Sequence, residues 1–306
     1  MEDGMLKIEN DQDLKSLDFL GILNINRLEL QNCDNIIPKL DSKTIKQLTL
    51  LFCDISNVKD FQLENLEILT ISNYSRKESD TLMQEIVKFQ KLKQLYLYRQ
   101  IINVNPLSQL NGLTILFLIH CEIHSTESLR TIINLQELYL QMNKGIDITA
   151  LQYLTNLTTL SLESCNLLNL DSLRSLEKLE KLHIFDNKII YLHPVLDLKQ
   201  LSTLNAENNK LIDVSSIKRH QNFQSFLLDN QELPTDQELI VANILKNLNS
   251  PIISFRKIYH LKSNFMTQNY ILRNKISEYM QKQFDVHSQM IARVVALFEQ
   301  NLQTCQ

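Results

Sequence analysis

Histidine is the residue type of this chain best suited to general acid–base or metal chemistry, and its seven copies form no catalytic motif. None lies in the zinc-binding pattern H-E-x-x-H, and the pattern G-x-S-x-G of a nucleophilic serine is absent. The four glycines are too far apart to build a loop that cradles phosphate groups. An enzyme needs a nucleophile, a base and an orienting group within reach of one another. We therefore predict a protein that is not an enzyme and uses no cofactor.

Cysteine is the second residue type that could do chemistry, as a zinc ligand or in a disulfide. Zinc requires four ligands that converge on one point. Four of the five cysteines instead occupy the position at which an asparagine stands elsewhere in the chain. These cysteines are Cys33, Cys53, Cys121 and Cys165, and the equivalent asparagines are Asn143, Asn187 and Asn209. A small residue or an amide at a recurring buried turn has a structural use, so we predict no metal site.

The composition and charge indicate the class of protein. Hydrophobic residues make up 44% of the 306 residues and charged residues 22%, as in ordinary folded proteins. The formal net charge of -4 argues against nucleic-acid binding, which usually requires a basic domain. The acidic N-terminus has no apolar signal-peptide core, and no apolar stretch is long enough to span a membrane. We therefore expect a cytoplasmic or nuclear protein that binds neither nucleic acid nor a membrane.

A repeated motif organises most of the chain. The pattern L-x-x-L-x-L-x-x-N/C-x-L recurs, and the last five steps between copies are each 22 residues long. The second apolar residue of each copy is Leu28, Leu48, Leu69, Leu95, Leu116, Leu138, Leu160, Leu182, Leu204 or Phe226. One period before Leu28 lies Leu6, which predicts one more strand. Each copy is too small to form a core alone, so we expect the copies to stack.

The pattern within one copy predicts a strand followed by a tight helical return. Leucines alternate with the tyrosine in Leu138-Tyr139-Leu140, as in a strand with one buried face. In the second half of a copy leucines recur every three residues, which is typical of a 3₁₀ turn. The example is Leu170, Leu173, Leu176 and Leu179. One copy carries an insertion in which Thr81 and Gln84 can form a capping box, and there we predict an α-helix on the convex side.

These repeats resemble those of the leucine-rich repeat family over about residues 5 to 234, and they are most similar to the sds22-type regulatory subunit of protein phosphatase 1. The resemblance implies an α/β solenoid of about ten to eleven repeats over residues 1–234. In such a solenoid a curved parallel β-sheet lines the concave face, and short helices or 3₁₀ turns cover the convex face. The resemblance also raises the hypothesis that the protein regulates a phosphatase.

Alternation along the strands places columns of side chains on the concave face. Aromatic and apolar residues cluster there in the fourth to sixth copies, beside one basic residue and one histidine. The cluster consists of Tyr96, Tyr98, Phe117, Ile119 and Tyr139, with Arg99 and His120 at its side. Large apolar groups that face solvent commonly mark a protein-binding surface, and we predict one here. The alternative is that these side chains only pack across neighbouring strands.

Farther along the same face the columns become acidic. The acidic residues are Glu163, Asp186, Glu207 and Asp229, with Lys181, His183 and Phe185 among them. We predict that a basic segment of a partner binds there. The residues assigned to that part of the partner-binding surface are Glu163, His183, Phe185, Glu207 and Asp229. The alternative is a set of solvated surface charges.

The repeat ends at Leu233-Pro234, and residues 235–306 form a different segment. Thr235 and Glu238 can form a capping box ahead of a short helix that would cap the solenoid. Beyond Pro251, apolar residues recur at helical spacing and predict an all-α tail. The segment carries eight Lys and Arg against five Asp and Glu, so we expect it to pair with the solenoid, with another copy or with an anionic partner.

The leading hypothesis is a non-catalytic scaffold that binds a protein partner on its concave face, a role that includes a regulatory subunit. A rigid surface displays its anchor residues without an ordering cost at binding. Two alternatives stay open. One is a structural or assembly protein that self-associates through residues 251–306, and the other is a phosphatase regulatory subunit of the sds22 type.

Overall fold

All described strands of the chain belong to one parallel sheet. The computed structural model describes residues 4–10, 17, 24–33, 39–55, 58–72, 80–100, 102–220, 223–228 and 252–254. The twelve strands follow one another in sequence order, so each pairs only with its neighbours along the chain. They are β1 Met5–Glu9, β2 Arg27–Gln31, β3 Gln47–Leu51, β4 Ile68–Ser72, β5 Gln94–Tyr98, β6 Ile115–Ile119, β7 Glu137–Tyr139, β8 Thr159–Ser161, β9 Lys181–His183, β10 Thr203–Asn205, β11 Ser225–Leu227 and β12 Ile252–Ser254.

The strands stack in the register that the repeat predicts. Equivalent residues pair along the sheet, from Leu6 opposite Leu28 to Leu204 opposite Phe226. Leu28 and Leu204 are almost completely buried. Burial of one such leucine contributes about 1.5–3 kcal/mol, and the neighbouring copies supply the contacts. The predicted solenoid and its additional strand at Leu6 are therefore confirmed.

The chain returns from each strand to the next through short helices on the opposite, convex side. The 3₁₀ helices are Val58–Asp60, Asn105–Gln109, Glu127–Leu129, Thr149–Tyr153, Asp171–Leu173, His193–Asp197 and Ser215–Arg219. The helix predicted in the insertion is confirmed as α1, Asp80–Ile86, which buries Leu82, Met83 and Ile86 in the core. The side chain of Thr81 in the predicted capping box lies outside the described residues. Within the described ranges, no helix is long and apolar enough to span a membrane.

The period of three in the return segment has a direct structural cause. The N–H groups of Leu173, Leu176 and Leu179 donate to the carbonyls three residues earlier, at 2.9, 3.0 and 2.9 Å. In a 3₁₀ turn the side chains at i and i+3 lie one above the other. A leucine at every third position therefore presents a continuous apolar ridge to the core, where these leucines are fully buried.

The C-terminal segment departs from the all-α prediction at its one described stretch. Ile252–Ser254 form β12, parallel to β11, with Ile253 opposite Phe226. The all-α prediction is wrong for these three residues, because the edge of β11 offers backbone groups to a β-branched Ile-Ile run. The predicted cap after Thr235, the rest of the predicted helical tail and the boundary at residue 234 fall outside the described residues.

Candidate functional site on the concave face

Three aromatic side chains form a ladder at the centre of the concave face. The register places Tyr96 opposite Phe117 and Phe117 opposite Tyr139, on β5, β6 and β7. The ring centroids of Tyr96 and Phe117 are 4.6 Å apart with an interplanar angle of 32°. Those of Phe117 and Tyr139 are 3.8 Å apart at 17°, which is a stacked arrangement. We call these three residues the aromatic ladder.

Both tyrosine hydroxyls of the aromatic ladder are held by a residue of their own strand. Tyr96 Oη donates to Gln94 Oε1 at 2.9 Å, and Tyr139 Oη donates to Glu137 Oε2 at 3.0 Å. Burial raises the pKa of Tyr96 to about 12. It also raises the pKa of Tyr139 far above the ordinary value, with a further contribution from the Glu137 carboxylate. Both hydroxyls are therefore protonated and their rings fixed in place.

The predicted aromatic patch is less exposed than the sequence suggests. Phe117 is only 2% exposed and Tyr98 only 6%, so the expectation that both face solvent is wrong. Neighbouring strands lie about 4.8 Å apart, a spacing at which flat rings on adjacent strands cover one another. The packing interpretation therefore holds for Phe117, whose ring lies between those of Tyr96 and Tyr139. Tyr98 is buried between Ser72 and Ile119, which lie opposite it on β4 and β6. Tyr96, Tyr139 and Ile119 are only partly buried and remain accessible.

Arg99 and His120 lie at the turn that follows β5 and β6, on the rim of the aromatic ladder. Both have a φ of +56°, in the left-handed region that a non-glycine residue rarely adopts. Each is held there by its backbone, because the N–H of Arg99 donates to Ile119 O at 3.0 Å and that of His120 to Gln141 O at 2.9 Å. Their side chains are partly exposed, and their place in a partner-binding surface stays a prediction.

The cysteine and asparagine turns are structural, as predicted. Asn143 Oδ1 accepts the N–H groups of Cys121 and Ile123 at 2.9 and 3.1 Å, and its Nδ2 donates to two backbone carbonyls. Cys121 Sγ donates to Leu97 O at 3.4 Å, and burial raises the pKa of its thiol to about 12. Among the residues that the structure describes, no group of three His, Cys, Asp or Glu could hold a metal ion.

Glu163 and His183 of the predicted acidic end belong to adjacent repeats. Glu163 follows β8 and is partly buried, and burial raises the pKa of its carboxyl group. His183 lies on β9 opposite Ser161. Burial lowers the pKa of His183 to about 4, with a smaller contribution from Lys181. At neutral pH the imidazole of His183 is therefore uncharged.

The other residues of the acidic end are spread over a wider area. Phe185 and Glu207 are partly buried and follow β9 and β10, whereas Lys181 at the start of β9 is exposed. Asp186 lies at a turn, where Ser164 Oγ donates to its Oδ2 at 2.8 Å. Asp229 falls outside the described residues, so its place on this surface stays a prediction.

Two polar residues that the sequence analysis did not single out lie beside Glu163. Gln141 Oε1 is buried without a partner among the described residues, and the buried Ser161 hydroxyl lies close to the Glu163 carboxyl group. Both residues belong to the concave columns, in which neighbouring copies carry larger or charged side chains. Their position in the repeat was available from the sequence, but the unpaired oxygen of Gln141 depends on packing that only the structure shows.

Comparison with known proteins indicates the fold. No protein-family model matches the chain, and no curated protein is significantly similar to it. Internalin F of Listeria monocytogenes superposes with a TM-score of 0.63 at 18% identity, over 85% of this chain and 84% of that one. Internalin C2 of the same species gives a TM-score of 0.53 at 25% identity, over 59% of this chain and 77% of that one.

A third solved structure is the leucine-rich repeat ectodomain of a plant membrane receptor kinase from Arabidopsis thaliana, in complex with Casparian strip integrity factor 2. It superposes with a TM-score of 0.54 at 19% identity, over 77% of this chain and 34% of that one. The chain has the leucine-rich repeat fold. The leucine-rich repeat solenoid predicted from the sequence is thus confirmed, whereas these neighbours do not confirm the sds22-type resemblance.

Proposed function

We propose that this leucine-rich repeat protein is a non-catalytic scaffold that binds a protein partner on its concave face. The observation that carries the proposal is the aromatic ladder. Its outer members Tyr96 and Tyr139 are partly exposed, and the ring of Phe117 between them keeps them in register. Tyrosine is among the residues that contribute most to binding at protein interfaces.

The aromatic ladder is organised before any partner arrives. The hydroxyls of Tyr96 and Tyr139 are held by Gln94 and Glu137, and the rings pack against Phe117. Immobilising a side chain at an interface costs about 0.5–1.5 kcal/mol. Because these tyrosines are already ordered in the folded protein, binding a partner does not add that cost. The surface therefore favours a partner with an apolar segment that can cover the two tyrosine rings.

The fold supports the same conclusion. The plant receptor ectodomain described above was solved in complex with Casparian strip integrity factor 2. A leucine-rich repeat solenoid aligns equivalent side chains in columns, and such extended surfaces suit partner binding. The partner of this chain, a regulatory role, phosphatase regulation and self-association through residues 251–306 stay predictions from the sequence, as does location in the cytoplasm or nucleus.

Affinity capture from a lysate of the source cells tests the proposal. The intact protein is compared with a Tyr96→Ala, Tyr139→Ala variant and with Tyr153→Ala as a matched control. Tyr153 is 40% exposed on the convex side, where the Arg130 guanidinium lies 4.1 Å from its ring centroid. All three proteins are first shown to unfold at comparable temperatures.

We expect mass spectrometry to identify a protein that the intact chain and the Tyr153→Ala variant retain and that the double variant loses. Retention of the same proteins by all three would mean that the aromatic ladder serves packing alone, and it would contradict the proposal.

A further inference from the structure

Gln141, Ser161 and Glu163 lie together on the concave face, next to the aromatic ladder; we call them the acceptor cluster. Backbone hydrogen bonds set their positions, since Leu140 N–H donates to Ser161 O and Met142 N–H to Glu163 O, both at 2.9 Å. Leu140, between Tyr139 and Gln141, is fully buried in the core. Successive side chains of an extended strand point to opposite faces, so the acceptor cluster lies on the concave side with Tyr139.

The acceptor cluster contains a buried amide oxygen that lacks a hydrogen-bond donor. Gln141 Oε1 is buried without a partner among the described residues. Ser161 is only 1% exposed, and its hydroxyl lies close enough to the Glu163 carboxyl group to favour the charged form of that group. Buried polar groups in native proteins are nearly always paired, so the unpaired oxygen of Gln141 points to a ligand that donates.

No cation of the described part of the chain neutralises the acceptor cluster. Glu163 takes part in none of the ion pairs between described residues. The neighbouring His183 is uncharged at neutral pH. Lys181 is exposed to solvent, and its charge lowers the pKa of His183. A partly buried carboxylate without a cation is costly, and a positive group from outside would remove that cost.

Two aromatic residues lie next to the acceptor cluster along the backbone. Tyr139 lies opposite Ser161 on β7, and Phe185 is next to Glu163 because the N–H of Ser164 donates to Phe185 O at 2.9 Å. A planar guanidinium stacks on aromatic rings and carries five N–H donors in a fixed fork. An ammonium group has three donors at one point and matches separated acceptors less well.

We propose that the acceptor cluster binds an arginine side chain of the protein partner, with its guanidinium donating to Gln141 and Glu163 and lying beside the aromatic residues that border the cluster. This inference rests on the proposed function and names the chemistry of the partner at one place on the concave face. The partner segment then covers the aromatic ladder with its apolar part and the acceptor cluster with arginine.

The test uses a random peptide library displayed on phage and selected on the full chain. Selected peptides are resynthesised, and their dissociation constants are measured with the intact protein, the Tyr96→Ala, Tyr139→Ala double variant, Glu163→Gln, Ser161→Ala and Glu177→Gln. Glu177 is exposed and lies outside the strands of the concave face, so it controls for the change in net charge. Each peptide is also made with its arginine replaced by alanine.

We expect arginine at a fixed position of the selected peptides. Glu163→Gln and the arginine-to-alanine peptide should each raise the dissociation constant about tenfold or more. Combining the two changes should raise it little beyond either change alone, because both remove the same contact. Glu177→Gln should leave the dissociation constant unchanged. Ser161→Ala removes only a hydroxyl and keeps the test informative if Glu163→Gln unfolds. We expect it to weaken binding less than Glu163→Gln.

The possible failures are distinguishable. This inference would be overturned if the selected peptides show no preference for arginine, or bind Glu163→Gln as tightly as the intact protein. If their binding still depends on Tyr96 and Tyr139, the proposed function stands. A library that yields no peptide dependent on Tyr96 and Tyr139 would overturn both.

Discussion

The side-chain oxygen of Asn143 accepts a hydrogen bond from the backbone N–H of Cys121, 2.9 Å away and 22 residues earlier in the chain. The same amide donates to Leu118 O and Leu140 O at 2.7 and 2.8 Å. One buried side chain thus satisfies backbone groups of two neighbouring repeats. Asn187 makes the equivalent hydrogen bonds to Cys165, Leu162 and Ile184. Side-chain amides thus link the turn of one repeat to the backbone of the repeat before it.

Replacing Asn143 with alanine should destabilise the protein strongly. The change leaves the N–H groups of Cys121 and Ile123 and two carbonyls without their partner, and each unpaired buried group costs about 1–3 kcal/mol. We expect the free energy of unfolding to fall by more than about 3 kcal/mol in urea denaturation. Asn134→Ala is the control, because its exposed side chain makes one bond, to Asn111 O at 2.9 Å. Equal losses in both variants would show that the turn amide has no special role.

Phe117 should contribute mainly to stability, in contrast to its neighbour Tyr96. Truncation of a buried phenylalanine to alanine costs about 3–5 kcal/mol, and Phe117 is 2% exposed between two rings. Tyr96→Phe keeps the ring and removes one hydrogen bond, so it should cost about 1 kcal/mol. Chemical denaturation of the two variants measures both values. A Phe117→Ala variant as stable as the intact protein would mean that the rings do not pack as described.

His183 should make stability depend on pH between about 4 and 6.5. Its pKa is lowered from 6.5 to about 4 in the folded state, so the unfolded chain binds the proton more tightly in this interval. The stabilisation is complete above pH 6.5 and is lost as the pH falls towards 4, by up to about 3 kcal/mol. Thermal unfolding across this range should show a smaller loss in His183→Gln than in the intact protein.

The exposed His124 provides the control for that titration. His124→Gln should follow the pH dependence of the intact protein. If His183→Gln follows it as well, the imidazole of His183 is hydrated in the folded state and the assignment is wrong.

The pairing of β12 with β11 should be detectable by cross-linking. Leu227 lies opposite Ser254, and neighbouring strands are about 4.8 Å apart, within the range of Cα distances that a disulfide bridges. In a Cys305→Ser background, Leu227→Cys with Ser254→Cys should form a disulfide under mild oxidation. Asn205→Cys with Ser254→Cys, two strands apart, should not. Equal cross-linking of both pairs, or of neither, would contradict the twelfth strand.

The sequence predicted the backbone of this fold well because its determinants are local and repeated. A 22-residue step fixes which leucines pair, and alternation fixes which residues share the concave face, so the columns through Tyr96, Phe117 and Tyr139 follow directly. The exposure of those residues does not follow, because it depends on how rings of adjacent strands cover each other. For the same reason the unpaired oxygen of Gln141 emerges only from packing.

The C-terminal segment shows a second feature that the sequence alone does not predict. Apolar spacing beyond Pro251 favours a helix when the segment is considered alone, yet Ile252–Ser254 pair with β11. Tertiary context decides here, because the open edge of the neighbouring strand offers backbone hydrogen bonds that outweigh a local preference.

The sequential order of the strands also decides how the molecule responds to mechanical load. Each strand is bonded only to the repeats before and after it, so tension applied along the chain opens one interface at a time instead of shearing the whole sheet. Each released 22-residue repeat adds about 75 Å of slack at full extension. The protein would therefore unfold in steps under a pulling force. A partner that spans several strands on the concave face would hold neighbouring repeats together and raise the force needed to separate them.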